Sequence, residues 1–224
     1  MKFYKIITNS AYQIKSQSNG ILMRYLFDFL NYETLPPSPR HSPMPLEMTW
    51  DTFPAIELYP DCKITDSLRG GNYGLGMMLN NKLKQVLSQF NLPPNNSYSF
   101  TVKHRGKEYN YFFLHITRLP ASTNPVNLDR TVFMKYADMD FKEVEGKYKF
   151  KSLWEASESN GRINKHAELW LEKSAYQYDL FNIRPLITDE CQYIISERLR
   201  NALVENKITG IEIDEAPWIH AVES

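Results

Sequence analysis

At 224 residues, 42% of them hydrophobic and 13% aromatic, the chain has ample material for a folded core in one large or two small domains. Lysine plus arginine and aspartate plus glutamate each total 26, so the formal net charge is zero; no basic excess favours nucleic acid and no acidic excess marks a DNA mimic. No run reaches the roughly 18 uninterrupted apolar residues of a membrane span, since the densest, ILMRYLFDFL, contains Arg24 and Asp28.

In chain order, residues 2–7 read as an opening strand, rich in aromatic and β-branched types. The N-terminal MKFYKIITNS lacks the apolar core of a signal peptide, so a cytoplasmic protein is expected. Between Ile21 and Tyr32, alternation at Met23, Tyr25, Phe27 and Phe29 favours a strand, while Leu22, Leu26 and Leu30 keep a helical spacing. LPPSPRHSPMP, over 35–45, holds five of the thirteen prolines and reads as an extended loop or linker. It lies within an N-terminal segment, 1–70, ahead of a region over 71–224, the whole expected to form one compact domain.

WDTFPAIELYP then predicts a strand with a turn at each end. LRGGNYGLG has four glycines but neither the Gly-Lys-Ser/Thr of a phosphate loop nor the GxGxxG spacing of a dinucleotide site, so Gly70, Gly71, Gly74 and Gly76 read as turn chemistry. MMLNNKLKQVLSQF follows: a capping residue, Asn80, and then Leu83, Val86, Leu87 and Phe90 on helical spacing. Pro93 and Pro94 end that helix, and strands resume near Tyr98 and in YNYFFLHITRL, with His104, Arg105, Gly106 and Lys107 suited to a hairpin tip. The middle third predicts several short strands; AELWL alternates as a strand, although 165–173 also admits a turn or two of helix.

YIISERLRNALVEN repeats the layout of the earlier phrase 116 residues on, with Ser196 as the cap and Leu199, Ala202 and Leu203 on the apolar face. A strand-like run after Gly210 completes it, as after the first helix. Either two related helix–strand units share a sheet or core, or one common capping solution occurs twice. Strands mixed with a few short helices, without regular alternation, predict an α+β fold with a mixed or antiparallel sheet.

Sites for chemistry do not emerge. The five histidines show no i, i+4 metal pair, and HAE at His166–Glu168 lacks the PCxxC half of a zinc deaminase, so no metal, cofactor or catalytic residue is expected. Cys62 and Cys191 have no metal or redox context and read as reduced, with Asp61 raising the pKa of Cys62. Glu155 with Glu158 and Glu168 with Glu172 could in principle serve as acid–base pairs, but solvated charge is the plainer reading. Lys103, His104, Arg105 and Lys107 beside Tyr109 and Tyr111–Phe113 interleave basic and aromatic residues as single-strand binders do; a basic hairpin tip before a buried strand is the plainer reading.

The segment YDLFNIRPLITDECQYIISERLRNALVENKITGIEIDEA resembles the C-terminal pattern of a bacterial polymorphic-toxin immunity family, the eleventh in that classification, with Asp179, Phe181, Ser196, Glu197, Leu203, Thr209, Gly210 and Ile211 in the matching positions. YNYFFLHITRLPASTNPVNLDRTVF is similar to a second family element, with Asp129 matching and Thr131 or Val132 where a serine is expected. The resemblance spans about residues 75–216. It implies a non-enzymatic protein that binds a co-encoded toxin domain, with no membrane, nucleic acid or cofactor, and with self-association left open. Candidate toxin contacts are Arg40 in the proline-rich loop, His104 and Arg105 at the hairpin tip, and Glu212, Asp214, Glu215 and Trp218 near the end. An enzyme that reverses a toxin's modification and a single-strand nucleic-acid binder are the alternatives.

Overall fold

The computed structural model describes residues 1–8, 55–68, 76–117, 119, 123–137, 142–152, 155, 168–183 and 193–223. The ambiguous segment 21–32, the proline-rich loop with Arg40, Gly70, Gly71, Gly74, Glu158, His166 and Cys191 lie outside them. The fold is α+β, with three helices and thirteen strands among the described residues in mixed and antiparallel sheets.

Strand β1 (Phe3–Thr8) opens the chain where aromatic and β-branched residues predict it. Two short strands, β2 (Ile56–Glu57) and β3 (Ser67–Leu68), precede β4 (Gly76–Asn80), helix α1 (Asn81–Leu87) and the long hairpin β5 (Asn95–His104) and β6 (Lys107–Ile116). Arg105 and Gly106 link that hairpin with φ of 51° and 73°, the two positive angles of a type I′ turn, whose twist matches the strands it joins. Gly76 is a strand residue and not a turn. It pairs with His115 across the β4–β6 ladder, and a Cβ there would collide with the Leu114 carbonyl and the Phe113 ring.

Next come the paired strands β7 (Phe133–Tyr136) and β8 (Val144–Tyr148), then β9 (Leu169–Leu171) and the single-turn helix α2 (Lys173–Tyr176). The alternation of AELWL therefore prevails over the helical option up to Leu171. Strands β10 (Leu180–Phe181) and β11 (Tyr193–Ser196), helix α3 (Glu197–Glu205), and strands β12 (Ile211–Glu215) and β13 (Ile219–Ala221) complete the chain.

The chain divides into two compact units. One comprises residues 8–118 and 201–212, the other 1–7, 119–200 and 213–224. The first is built on a five-stranded sheet of order β2-β5-β6-β4-β3. β4 and β5 both run antiparallel to β6, hence parallel to each other, and parallel strands need a crossover, which α1 supplies. Ile56, Leu68, Met78, Val102, Tyr111 and Phe113 form its core. The other unit carries the sheet β10-β11-β1-β12 and the parallel pair β9–β13, over a core that includes Phe3, Phe133, Leu169, Leu171, Phe181 and Ile194.

The two sheets repeat one plan. β3-β4-β6-β5 and β10-β11-β1-β12 follow the same order, with the helix joining the second strand to the fourth; only the inserted strand differs, coming from the hairpin in one and from the chain's first residues in the other. Side chains repeat as well. Asn80 and Ser196 each cap their helix, accepting from Leu83 N–H at 3.0 Å and Leu199 N–H at 3.2 Å. Each also donates to an aspartate just before the neighbouring short strand: Asn80 to Asp66 at 2.8 Å, Ser196 to Asp179 at 2.7 Å. A cation two residues past each cap reaches the same carboxylate, Lys82 at 3.5 Å and Arg198 by a closer ion pair. Two residues further, Lys84 lies over Phe112 at 3.8 Å and Arg200 over Tyr4 at 5.5 Å. The two phrases thus repeat one arrangement of cap, helix and returning strand.

Candidate functional site

The residues that carry the family resemblance have structural tasks. Phe181 and Leu203 are buried, and Asp179 with Ser196 forms the cap contact just described. Thr209 holds Asp66: its N–H and its hydroxyl both donate to the carboxylate at 2.8 Å, while its hydroxyl accepts from Asp66 N–H at 3.0 Å. Burial alone would raise the Asp66 pKa, but the hydrogen bonds from Asn80 and Thr209 and the charge of Lys82 outweigh it and hold the carboxyl below the usual range. Gly210 follows with φ of 83°, and a Cβ there would strike the Ser67 carbonyl and the Thr65 side chain. In the second patch Asp129 is exposed, its carbonyl accepting from Lys149, whereas Thr131 is fully buried and accepts from Trp170 N–H at 3.1 Å.

Of the sequence-predicted contacts that the structure describes, His104, Arg105 and Glu212 belong to one unit and Asp214, Glu215 and Trp218 to the other. His104 is only 7% exposed, at the end of β5, and among the described residues its Nε2 has no hydrogen-bond partner. Arg105 is exposed, but its Nε donates to the Pro60 carbonyl at 2.6 Å, tying the hairpin tip to the turn after β2. Trp218 is half-buried against the core that holds Leu169 and Ile219. Glu212, Asp214 and Glu215 are exposed along β12, the last strand in its sheet's order, and Asp214 pairs with Lys5 at 3.3 Å.

The residues behind the alternative readings have these surroundings. Tyr111 and Phe113 are buried, Lys84 lies over Phe112, and Lys103 pairs with Glu108 at 3.4 Å. Tyr111 donates to the Thr65 carbonyl, and burial, then the Asp66 charge, raises its pKa. Glu172 accepts from the Asn127 amide at 2.8 Å, and Glu155 accepts from Tyr148 at 3.1 Å and Lys151 N–H at 2.8 Å. Among the described residues no three His, Cys, Asp or Glu side chains converge as a metal site, and no helix is long and apolar enough to cross a membrane.

A surface that the sequence reading missed lies on β9 and β13. Leu169 and Leu171 face the core, so the alternation of β9 turns Trp170 to the other side, where His220 is its register partner. The two rings lie 4.8 Å apart at 32°. On the other flank of β9 runs the segment of Arg130, bridged at Val126–Leu171 and Val132–Glu168, and the guanidinium sits 5.3 Å from the Trp170 ring. This row floors a groove of about 650 Å³ rimmed by Tyr176, Ala221–Glu223 and Met1. Its three principal residues come from separate stretches of chain, and no linear motif joins them.

A scan of the chain against protein-family models finds no match, and a search of curated proteins finds none either.

Proposed function

We propose that this chain is a cytoplasmic immunity protein, a stoichiometric and non-enzymatic inhibitor that covers the working surface of a co-encoded bacterial toxin domain. The C-terminal resemblance supports the reading. The observation that carries it is the run of exposed carboxylates along β12, Glu212, Asp214 and Glu215, on the strand that ends its sheet's order among the described residues. An exposed strand edge offers free backbone donors and acceptors for another chain, and carboxylates along it attract a cationic partner and speed its association. A toxin with a basic cleft, such as a nuclease, is the complement. A standard interface of roughly 1,600 Å² is enough to close such a cleft.

The test is co-expression of this chain with the toxin domain encoded beside it in a sensitive host, followed by co-purification. Restored growth with an equimolar complex supports occlusion. Restored growth with no complex supports the enzymatic alternative, and failure to restore growth removes the immunity reading.

A further inference from the structure

We propose that the groove over Arg130, Trp170 and His220 is a binding site for a small planar organic anion, one whose ring carries a carboxylate or a phosphate. The site is independent of the acidic β12 surface and of the immunity reading.

Three observations lead there. First, the groove has the size of a ligand pocket, about 650 Å³, against the few hundred to 1,000 Å³ usual for such sites. Second, its donors are unspent: among the described residues, neither the Arg130 guanidinium nor the His220 ring has a hydrogen-bond acceptor, and the contact each makes is with the Trp170 ring. A guanidinium over a ring keeps its N–H groups at its edge, in the fork geometry that matches a carboxylate or phosphate. Third, the floor and wall are flat and aromatic. Tyr176 is fixed there because its hydroxyl donates to the Val222 carbonyl at 3.2 Å, which leaves its ring as a wall. Aromatic surfaces favour a planar ligand, which stacks or meets them edge to face.

The backbone holds these groups in place. Trp170 N–H donates to Thr131 Oγ1 at 3.1 Å and its carbonyl accepts from Asn127 N–H at 2.8 Å, so the segment on which Arg130 stands is anchored to β9 on both sides of that residue. Glu223, exposed at the rim, is the opposing charge. It disfavours multiply charged ligands, and its removal strengthens anion binding.

Benzoate and phenyl phosphate, with inorganic phosphate as the ring-free control, are titrated into the full-length protein. The Trp170 indole and His220 ring resonances are followed by NMR. Saturable shifts at both, with Kd at or below about 1 mM for at least one ring-bearing anion, are expected. Arg130→Gln and His220→Gln weaken binding about tenfold or more with unchanged circular dichroism, and Glu223→Gln tightens it. A response to benzoate alone assigns a carboxylate ligand, and one to phenyl phosphate alone a phosphate. Absence of saturable shifts up to about 10 mM, equal binding of inorganic phosphate, or undiminished binding by Arg130→Gln overturns the proposal.

Discussion

Ser196 donates its hydroxyl proton to Asp179 at 2.7 Å while its oxygen accepts from Leu199 N–H at 3.2 Å, so one side chain both caps a helix and pins it to the residue that leads into β10. The backbone reinforces the link, with Ser196 N–H donating to the Asp179 carbonyl at 2.9 Å. Asn80 and Asp66 make the same set of contacts, backbone bond included, at 2.8 Å. A helix of seven or nine residues is too short to be stable by itself, so its first turn has to be fixed from outside, and both units do this with an aspartate.

Removing either cap weakens the fold. Ser196→Ala and Asn80→Ala each lose about 1 kcal/mol or somewhat more in urea unfolding. A double-mutant cycle of Ser196→Ala with Asp179→Ala gives a coupling of about 0.5–3 kcal/mol. Arg198→Ala costs less than about 1 kcal/mol, because the Arg198 side chain is 65% exposed and its pairing is screened by solvent.

The Asp66 cluster gives the protein an acid-sensitive step. Its carboxyl is held below its ordinary value, so the stability it contributes is complete above about pH 4, the unfolded carboxylate value, and is lost as pH falls through the folded value. Thermal unfolding between pH 7 and pH 2 shows this loss in the parent chain. In Asp66→Asn the decline is shallower and stability at pH 7 is lower, since an amide cannot accept from Asn80, Thr209 and Lys82 as a carboxylate does.

Two glycines with positive φ separate strain from crowding. Gly106, at φ 73°, has open space where a Cβ would go, so Gly106→Ala costs about 1–2 kcal/mol for the left-handed backbone alone. Gly210→Ala adds a collision with the Ser67 carbonyl and costs more. Equal losses in chemical unfolding would mean that residues 209–211 move aside without cost.

Cys62 reacts slowly as a thiol. Burial, then the Asp61 charge, raises its pKa, which reduces the thiolate available near neutral pH. With Cys191→Ser in place to give a single reporter, iodoacetamide modifies Cys62 more slowly in the native protein than in urea. Asp61→Asn accelerates the native reaction by removing the nearby negative charge.

Much of this was legible in the chain because it depends on local chemistry. Positions of the capping residues, the apolar spacing of Leu83, Val86 and Leu87, and the Arg105–Gly106 turn are set within a few neighbours. What was not legible depends on partners far away. Asp66 lies 143 residues from Thr209, and nothing near either signals the other. Gly76 read as a turn glycine because the constraint on it comes from the Leu114 backbone across the ladder. His104 read as a contact residue from its basic neighbours, yet β5 carries it into a buried position. The groove escaped notice for the same reason: Arg130, Trp170 and His220 become neighbours only when three segments align.

The carboxylates of β12 are the centre of the proposed function, because they are the groups that would attract a cationic partner. The deciding measurement is the affinity of the toxin domain for this protein and for the Glu212→Lys, Glu215→Lys variant, by calorimetry at low and at physiological salt. The account predicts an equimolar complex with the parent chain, weakened at least about tenfold by the double charge reversal and less salt-dependent afterwards. An unchanged affinity and salt dependence in a folded variant would contradict it.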